Sequence, residues 1–412
     1  MVTNQITIKK RCYSVHHFYS MQRVIVIGHG YSIRLSVIRA VAQFGYEVIV
    51  IHVGPPVKPL DGYSKYVKEV LYFNRQEGEK GLVKLLLEKC RVVGQKPIII
   101  PTSDFSAFAI DNEDIKKQFS VPHINHEFNS VGYWMNKAHQ KELALSVGLN
   151  TAGSVVVERT GKDFLIPDDI KYPCFTKPVS SFGAGKKCQR RCNNPKELKT
   201  VLAIANKNNI TKVLVEDFIN ISHEYAVLGF SDGKKVVIPG VIKFLRESKR
   251  HRGVALAGEV LPVAVFKDLI DKFADFIRQM GFVGVFDIDF LENNGVFYFD
   301  EMNIRIGGSG MAILKAGVNL PAMFVKTMCG ESVDDMAQVV THAATFVNEK
   351  MAFDDFAEGC MSFREYRRLL ASADILFIKD AADVAPYQEF EKQLRKQLFS
   401  YKRIAKRLLH IF

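Results

Sequence analysis

Residues 287–310 read DIDFLENNGVFYFDEMNIRIGGSG, and this stretch indicates most about the fold. An Asn-Gly pair at positions 294–295 separates two short apolar runs, which predicts an antiparallel hairpin with a tight turn. Such a hairpin would bring Asp289 beside Glu301 and Asn303. Two carboxylates and an amide oxygen form a hard-oxygen set that suits Mg²⁺. An acidic surface hairpin without a metal is the alternative for this segment alone.

The residues that follow the hairpin are suited to bind anions. Arg305 stands at the same edge, and a guanidinium group can contact oxyanions in a bidentate way. Gly307 and Gly308 begin a Gly-Gly-Ser-Gly segment, and a phosphate or a substrate can approach a glycine backbone closely. Both glycines are therefore candidate substrate residues. Asp287 and Asp300 are interpreted as structural, because they are expected to face away from the metal ligands or to lie next to them.

The bulk composition is that of a globular protein with more than one domain. The chain has 412 residues, 48% of them hydrophobic and 24% charged, and this length indicates two or three domains. No stretch approaches the roughly 20 apolar residues that span a bilayer. The seven cysteines form no CxxC pair, which indicates reduced thiols in a cytoplasmic protein. The formal net charge of +12 favours anionic partners.

The N-terminal part predicts a parallel sheet. Residues 1–20 lack the apolar core of a secretory signal. Either Met21 is the natural start, or residues 1–20 are a loose extension. Two apolar runs, Val24–Ile27 and Glu47–Val53, flank a helical pattern and form a βαβ unit. The glycine pair in Gly28–Gly30 lacks the third glycine of a dinucleotide motif, so a tight turn is favoured there.

Polar residues also follow a later strand of this part. Pro97–Pro101 is a short apolar run, and Thr102, Ser103 and Asp104 come directly after it. The carboxyl ends of parallel strands are where α/β sheets bind ligands, so these three are candidate substrate residues. They can equally cap a helix that begins near Phe105. Both roles stay open.

From residue 136 onward, strands mix with a few helices, which indicates an α+β region. Lys137 opens a helix, and Lys177 ends a strand. A Ser/Gly-rich loop follows Lys177, and its backbone N–H groups can cover phosphates whose charge a lysine neutralises. The spacing is not that of a P-loop. The candidate nucleotide contacts in this loop are Ser181, Phe182, Gly183 and Gly185.

A strand that turns acidic at its end is a candidate adenine site. Glu216 can reach an exocyclic amine there, while the backbone near Phe218 and Ile219 faces the ring. Glu224 follows and can hold ribose hydroxyls. Each residue taken singly can also be an ordinary charge or side chain at the end of a strand.

Two basic regions point to anionic partners. The segment from 243 to 252 carries Lys243 and Arg246, which can bind an anionic substrate or belong to a solvated loop. Residues 331–412 are mostly helical in pattern, and their end is a basic amphipathic helix. Such a helix can lie on an anionic membrane surface or dock on its own domain.

In order and spacing, these pieces resemble the ATP-grasp superfamily. The likeness runs from about Met21 to Gly330 and is greatest to the carboxylate–amine ligases, including members like D-aspartate ligase and carbamoyl-phosphate synthase. In this resemblance the two lysines and the glycine-rich loop hold the phosphates, VEDFI is the adenine hinge, and Glu224 is the ribose ligand. The metal end of the pattern is similar to the set Asp289, Glu301, Asn303 and Arg305.

The resemblance implies a fold that is both α/β and α+β. A Rossmann-like preATP-grasp domain with a parallel sheet precedes a two-lobed ATP-grasp domain and a helical C-terminal extension. The implied boundaries are 1–20 for the loose extension, 21–130 for the Rossmann-like domain, 131–330 for the ATP-grasp domain (small lobe about 140–220, large lobe about 221–330) and 331–412 for the extension with its basic amphipathic end.

The implied activity is ATP-dependent formation of a C–N bond through an acyl phosphate, with ADP and phosphate as products. Two Mg²⁺ ions would be held by Asp289, Glu301 and Asn303, with Mn²⁺ as an alternative, and Arg305 would be the catalytic cation. The partners would be a small carboxylate and an amine, such as an amino acid or a cell-envelope precursor. We expect no nucleic acid, and leave membrane contact and a homodimer open. A phosphotransferase and a non-catalytic nucleotide-binding module are the alternatives.

Overall fold

The computed structural model describes residues 22–125, 130–180, 187–250 and 254–398. Its N-terminal part is a four-stranded parallel sheet with strand order β3-β2-β1-β4. The inner strands are continuous apolar runs that are buried on both faces, as parallel sheets require. The elements of this part are β1 Arg23–Gly28, α1 Tyr31–Ala42, β2 Glu47–Val53, β3 Val67–Phe73, α2 Gly78–Lys89, β4 Ile98–Pro101, α3 Asp104–Ile110, α4 Glu113–Gln118, β5 His123–Ile124 and α5 Val131–Trp134.

A smaller antiparallel sheet follows, with strand order β7-β6-β10-β8-β9. One helix covers its inner face, and a separate apolar cluster fills the space between them. The elements are α6 Lys137–Ser146, β6 Ser154–Thr160, β7 Asp163–Phe164, β8 Cys174–Pro178, β9 Arg190–Cys192, α7 Pro195–Lys207 and β10 Lys212–Asp217.

The third sheet has nine strands and runs in the order β16-β15-β11-β13-β14-β17-β18, with β12 beside β11 and β5 beside β15. Aromatic side chains pack one of its faces against a strongly amphipathic helix. The elements are β11 His223–Asp232, β12 Val236–Val237, β13 Val241–Glu247, β14 Ala255–Leu261, α8 Lys267–Met280, β15 Phe282–Asn293, β16 Val296–Asn303, α9 Gly310–Lys315, α10 Leu320–Met328, β17 Ala344–Val347, α11 Glu349–Ala357, α12 Phe363–Ser372, β18 Ile375–Leu376 and α13 Ala385–Leu398.

The predicted hairpin is present in this large sheet. Strands β15 and β16 are antiparallel, and Asn294 and Gly295 both have positive φ (52° and 80°), as a primed two-residue turn requires. Asp289 stands opposite Glu301 in the ladder. The register then shifts, so that Asp300 is an extra residue in β16.

The mixed architecture confirms the predicted fold class, with a parallel sheet first and mixed sheets after it. Three helices confirm the helical pattern of the C-terminal part. That part is nevertheless integrated into the rest of the fold, because β17 and β18 lengthen the large sheet. Arg39 of α1 also reaches it: the guanidinium donates to the backbone oxygens of Phe377 and Ile378 and pairs with Asp383 at 3.0 Å.

Several predictions concern residues beyond the described ranges. Residues 1–20 and the basic end after residue 398 lie outside them. No helix within the described ranges is long and apolar enough to cross a membrane. Six cysteines fall within the ranges and all are free thiols, which agrees with the predicted reduced state: Cys90, Cys174, Cys188, Cys192, Cys329 and Cys360.

Candidate active site

The hairpin places its predicted ligands on one face of the large sheet. Cross-strand partners share a face, and side chains two residues apart also share it. Asp289 therefore lies with Glu301, and Asp287 with Asn303. The amide Nδ2 of Asn303 donates to Asp289 Oδ2 at 3.1 Å. Glu301 is paired with Lys137.

The acids on this face raise one another's pKa values. Burial raises the pKa of Asp289 to about 6, and the charge of Asp300 adds to it, while Arg305 and Lys137 oppose the rise. Burial and the charge of Asp289 hold the pKa of Asp287 well above its usual range. A divalent cation near these oxygens would relieve both costs, since it favours the ionised carboxylates.

The donor set therefore fits a Mg²⁺ ion in its chemistry. Asp289, Glu301 and Asn303 supply two carboxylates and an amide oxygen, which are hard ligands of the right type. In the described ranges no three side chains of the Asp, Glu, His and Cys types are grouped as a metal site. The predicted set contains only two such acids, so the nucleotide phosphates and water would have to complete the coordination.

Two buried lysines face these acids, one from helix α6 and one from the small sheet. Lys137 begins α6, and its backbone N–H donates to the oxygen of Val179 at 2.9 Å, which fixes it next to the end of β8. Lys177 of β8 pairs with Glu216 at 2.9 Å and also with Asp300. The acids of the large sheet and these two lysines thus form one site.

The pKa values of the two lysines are shifted in opposite directions. Burial and the charge of Lys177 lower the pKa of Lys137 to about 8. Burial by itself would also lower the pKa of Lys177, but the carboxylates of Asp300 and Glu216 outweigh it and raise that pKa above its usual range. Lys177 is therefore a fixed positive charge, whereas Lys137 depends on anionic neighbours to stay protonated.

Glu216 lies at the predicted hinge but does not face outward. It is 4% exposed, and Lys141 and Lys177 each pair with one of its carboxylate oxygens. Both carboxylate oxygens of Glu216 are thus engaged by ammonium groups, and its contact with an exocyclic amine of adenine stays a prediction. Phe218 and Ile219 are half-buried in the segment that joins the two sheets, where a hinge is expected.

Glu224 lies on the same face as the acidic hairpin. It precedes Ala226 by two residues, and Ala226 stands opposite Asp289 in the ladder. Burial raises the pKa of Glu224 to about 7, and its hydrogen-bonded neighbour Glu247 adds to the rise. A half-buried carboxyl group on this face is suited to hold hydroxyl groups, and its contact with the ribose stays a prediction.

Arg305 connects the hairpin to the N-terminal parallel sheet. Its Nε donates to Asp104 Oδ1 at 2.9 Å and its Nη2 to Asn303 Oδ1 at 3.0 Å. Of the predicted polar run after β4, only Asp104 reaches the site. Thr102 bonds to the backbone oxygen of Ile27, and Ser103 caps α3 through a capping box with Ser106. The predicted cap is confirmed. Thr102 and Ser103 are both buried, and a substrate role for them stays a prediction.

The two glycines after Arg305 differ. A Cβ on Gly307 would collide with the carboxylate of Asp287, so the protein itself fills that space. Nothing lies within 4 Å of a Cβ built on Gly308, which leaves the backbone open to a ligand there. Asp287 and Asp300 were expected to face away from the metal ligands or to lie next to them, and the structure shows the second arrangement. Asp287 lies opposite Asn303 on the site face, and Asp300 contacts Lys177.

The predicted basic substrate segment does not face the acids. Lys243 stands opposite Tyr225, whose ring belongs to the other face of the sheet, and its ammonium lies over that ring. Arg246 pairs with Glu365 of α12 at 2.7 Å. Strand alternation turns Lys243 away from the acids, and an ion pair holds Arg246 on the C-terminal helices, so a substrate role for both residues stays a prediction that this placement does not support.

Two further groups complete this description. The loop residues Ser181, Phe182, Gly183 and Gly185 lie outside the described residues. Lys141 was not predicted, although it stands four residues after Lys137 and therefore on the same helix face. Its ammonium pairs with Glu216 at 2.5 Å and donates to the oxygen of Ala152. The i,i+4 spacing is the signal that would have found it.

Acids of the large sheet face Lys137 of α6 and Lys177 of the smaller antiparallel sheet, beside a parallel-sheet domain, which is the arrangement expected of an ATP-grasp fold. The comparison with protein families agrees: residues 142–319 match the model of the ATP-grasp domain. This match confirms the predicted resemblance to the ATP-grasp superfamily. ATP-grasp homologues are ATP-dependent ligases that form C–N bonds, with ADP and phosphate as products.

Known proteins are similar over most of this chain. The carbamoyl phosphate synthase large chain of Buchnera aphidicola is 23% identical over 300 residues, which is 72% of this chain and 27% of that protein. This chain thus spans only about a quarter of that relative's length. N5-carboxyaminoimidazole synthetase from Staphylococcus aureus has a similar structure, with a TM-score of 0.62 at 16% identity, covering 85% of this chain and 88% of that one. The L-amino acid ligase from Bacillus licheniformis gives 0.57 at 16% identity, covering 79% of each chain.

Proposed function

We propose that this protein is an ATP-dependent carboxylate–amine ligase that works through an acyl phosphate. The observation that carries the proposal is the convergence of Asp289, Glu301 and Asn303 with Arg305 on one side and with Lys137 and Lys177 on the other. This set provides for each part of the reaction: acids for metal-bound phosphates, lysines for phosphate charge and an arginine for the developing oxyanion.

The lysines bind the nucleotide phosphates. Lys177 keeps its positive charge, because Glu216 and Asp300 hold its pKa high. Lys137 has a lowered pKa and regains its proton affinity when the phosphates arrive, because they are anionic. Phe218 and Ile219 border the adenine, and Glu224 accepts hydrogen bonds from the ribose hydroxyls.

Asp289, Glu301 and Asn303 would hold the metal. When bound, Mg²⁺ screens the β- and γ-phosphates during transfer of the phosphoryl group. The two carboxylates must be ionised for this task, and the cation itself favours that state. Glu301, which contacts Lys137, would hold the metal, and Lys137 would contact a phosphate.

Arg305 stabilises the acyl phosphate. Its guanidinium is fixed by Asp104 and by Asn303, so it is aimed at the region between the hairpin and the parallel sheet. The carboxylate substrate attacks the γ-phosphorus from this region, and the amine then displaces phosphate from the acyl carbon. A preorganised cation here lowers the barrier because it needs no reorientation when charge develops.

The substrate screen tests this function. The purified protein is incubated with ATP, Mg²⁺, a pool of carboxylic acids and a pool of amines, and ADP and phosphate are measured. We expect ADP only when both an acid and an amine are present. ADP with an acid alone would favour the phosphotransferase, and AMP with pyrophosphate would contradict the mechanism. A protein that binds ATP without turnover in any pool would be the nucleotide-binding module.

The finer expectations stay predictions. These are an amino acid or a cell-envelope precursor as substrate, two metal ions, Mn²⁺ as a substitute, a homodimer and peripheral membrane contact. The described ion pairs of Arg246 and of Arg250, which contacts Glu358 at 3.2 Å, give the basic segment a structural use and so weaken its support for an anionic carrier.

A further inference from the structure

His29 lies where sheets of this kind bind ligands, yet none of the proposed steps uses it. The strand order β3-β2-β1-β4 means that the chain first builds to one side of β1 and then returns to the other side. Such a switch point opens a crevice between the carboxyl ends of β1 and β4. His29 directly follows β1, and Asp104 follows β4 at the start of α3.

The carboxyl ends of β1 and β4 are in direct contact. The backbone N–H of Thr102 donates to the oxygen of Ile27 at 2.8 Å. A Cβ on Gly28 would collide with Oγ1 of Thr102, so only glycine permits this approach. The residue after Gly28 is therefore held close to the residues after Thr102, and this residue, His29, is exposed.

The same crevice contains the cation proposed to hold the acyl phosphate. Asp104 accepts from Arg305 Nε at 2.9 Å, and Arg305 in turn contacts Asn303 of the metal-binding face. An amine that attacks an acyl group at Arg305 can approach from the side of the parallel sheet. On that side, His29 has an exposed imidazole, a group that can carry a proton at neutral pH.

The charges that face His29 come from every element around the crevice. These charged or titratable groups are Arg34 of α1, His52 of β2, Arg75 after β3, Asp104 of α3 and Arg305. Arg34 is itself buried against Asp61, and Arg75 lies over the ring of Phe105.

These surroundings keep the imidazole uncharged. Protein that crowds around the ring lowers the pKa of His29, and the positive charges of Arg34, Arg75 and Arg305 lower it further, while Asp104 acts in the opposite direction. An uncharged imidazole can accept a proton at neutral pH, whereas an imidazolium cannot. Asp104 is less suited to this task, because its carboxylate is engaged by Arg305.

We propose that His29 is the general base that deprotonates the ammonium group of the amine substrate. This inference rests on the proposed ligase function. His29 takes one proton from the ammonium, and the freed lone pair attacks the carbonyl carbon of the acyl phosphate. The bond from that carbon to the bridging oxygen breaks, and the electron pair leaves with the phosphate, which takes the second amine proton. An amide, phosphate and a protonated His29 result, and the imidazolium returns its proton to water.

The test compares two nucleophiles in the variant His29→Gln. Hydroxylamine is uncharged at neutral pH and needs no base, so it traps the acyl phosphate as a hydroxamate directly. The ordinary amine, identified by the substrate screen, arrives as an ammonium ion. His342→Gln is the matched control, because His342 is an exposed histidine of the C-terminal part.

We expect His29→Gln to slow amide formation about 100-fold at neutral pH and to leave hydroxamate formation unchanged. The difference in the rate of amide formation between His29→Gln and the unaltered protein should narrow as the pH approaches the pKa of the amine, because water then deprotonates more of the amine before it binds. An equal loss with both nucleophiles would place His29 in an earlier step and overturn the proposal, as would no loss with either. If the unaltered protein forms no hydroxamate with any acid, the ligase function itself fails.

Discussion

The acidic hairpin and the basic segment of this protein look equally suited to a ligand in the sequence, but the structure uses them differently. The hairpin directs Asp289 and Glu301 to a shared face where lysines meet them. The segment around Arg246 is tied to the C-terminal helices by ion pairs, and its backbone N–H groups at Lys249 and Arg250 donate to Asp355. Charged residues can form a ligand site only where the fold turns their side chains toward one another, as in the hairpin, and not where ion pairs hold them on neighbouring helices.

The largest effect is expected at the hairpin. Glu301→Gln removes a metal-binding carboxylate and the partner of Lys137, so turnover should fall on the order of 1,000-fold, because phosphoryl transfer depends on charge stabilisation. Steady-state release of ADP measures this. Glu292→Gln is the control, since Glu292 lies near the turn of the same hairpin and contacts Tyr225 at 2.9 Å. If Glu301→Gln were as active as the control Glu292→Gln, the assignment of Glu301 as a metal ligand would be wrong.

The next effect is expected at Arg305. Arg305→Lys keeps a charge but loses the fork that bonds to Asp104 and Asn303, so kcat should fall about 100-fold with little change in the KM for ATP. Arg278→Lys is the control on the exposed end of α8. A change in the KM for ATP alone would assign Arg305 to nucleotide binding instead.

A smaller effect is expected at the ribose contact. Glu224→Gln keeps the shape but loses a charged acceptor, so the KM for ATP should rise about tenfold while kcat changes little. Steady-state kinetics at saturating acid and amine would show this. A loss confined to kcat would contradict the ribose assignment.

The same variant carries a prediction about pH. The pKa of Glu224 is raised from 4.5 to about 7, so the folded protein binds a proton more tightly than the unfolded chain does. The free energy of unfolding should therefore fall as the pH rises through this window. Glu224→Gln should flatten that fall in chemical denaturation at a series of pH values, and an unchanged slope would argue against a raised pKa.

The smallest effect is expected in the basic segment. Arg246→Gln breaks a partly exposed ion pair with Glu365, which should cost about 0–1 kcal/mol of stability and leave turnover unchanged. Thermal unfolding and ADP release check the two parts. A large rise in the KM of the acid or the amine would restore the segment as a substrate site and remove the contrast with the hairpin.

Much of the fold could be predicted from local patterns. The Asn-Gly turn predicted the hairpin, and the apolar run of β2 gave its bounds, because these signals are short-range. β3 was not predicted, since its charged and apolar residues alternate on an edge strand. Residues 235–242 are apolar enough for one strand but do not form one: β12 ends at Val237 and β13 begins at Val241, with Pro239 and Gly240 between them.

The site was harder to predict where it depends on register between distant strands. The shift at Asp300 turns that side chain toward Lys177, and no local pattern indicates it. The direction of Lys243 depends on its partner Tyr225 in another strand. Glu216 appeared free to bind adenine because its two lysine partners lie far from it in the sequence.

The most direct test of the central claim uses a carboxylate substrate labelled with ¹⁸O. If an acyl phosphate forms, a carboxylate oxygen becomes the bridging oxygen and leaves with the phosphate. We therefore predict that mass spectrometry finds ¹⁸O in the inorganic phosphate released during amide formation. Unlabelled phosphate from a reaction that consumes both acid and amine would contradict the account.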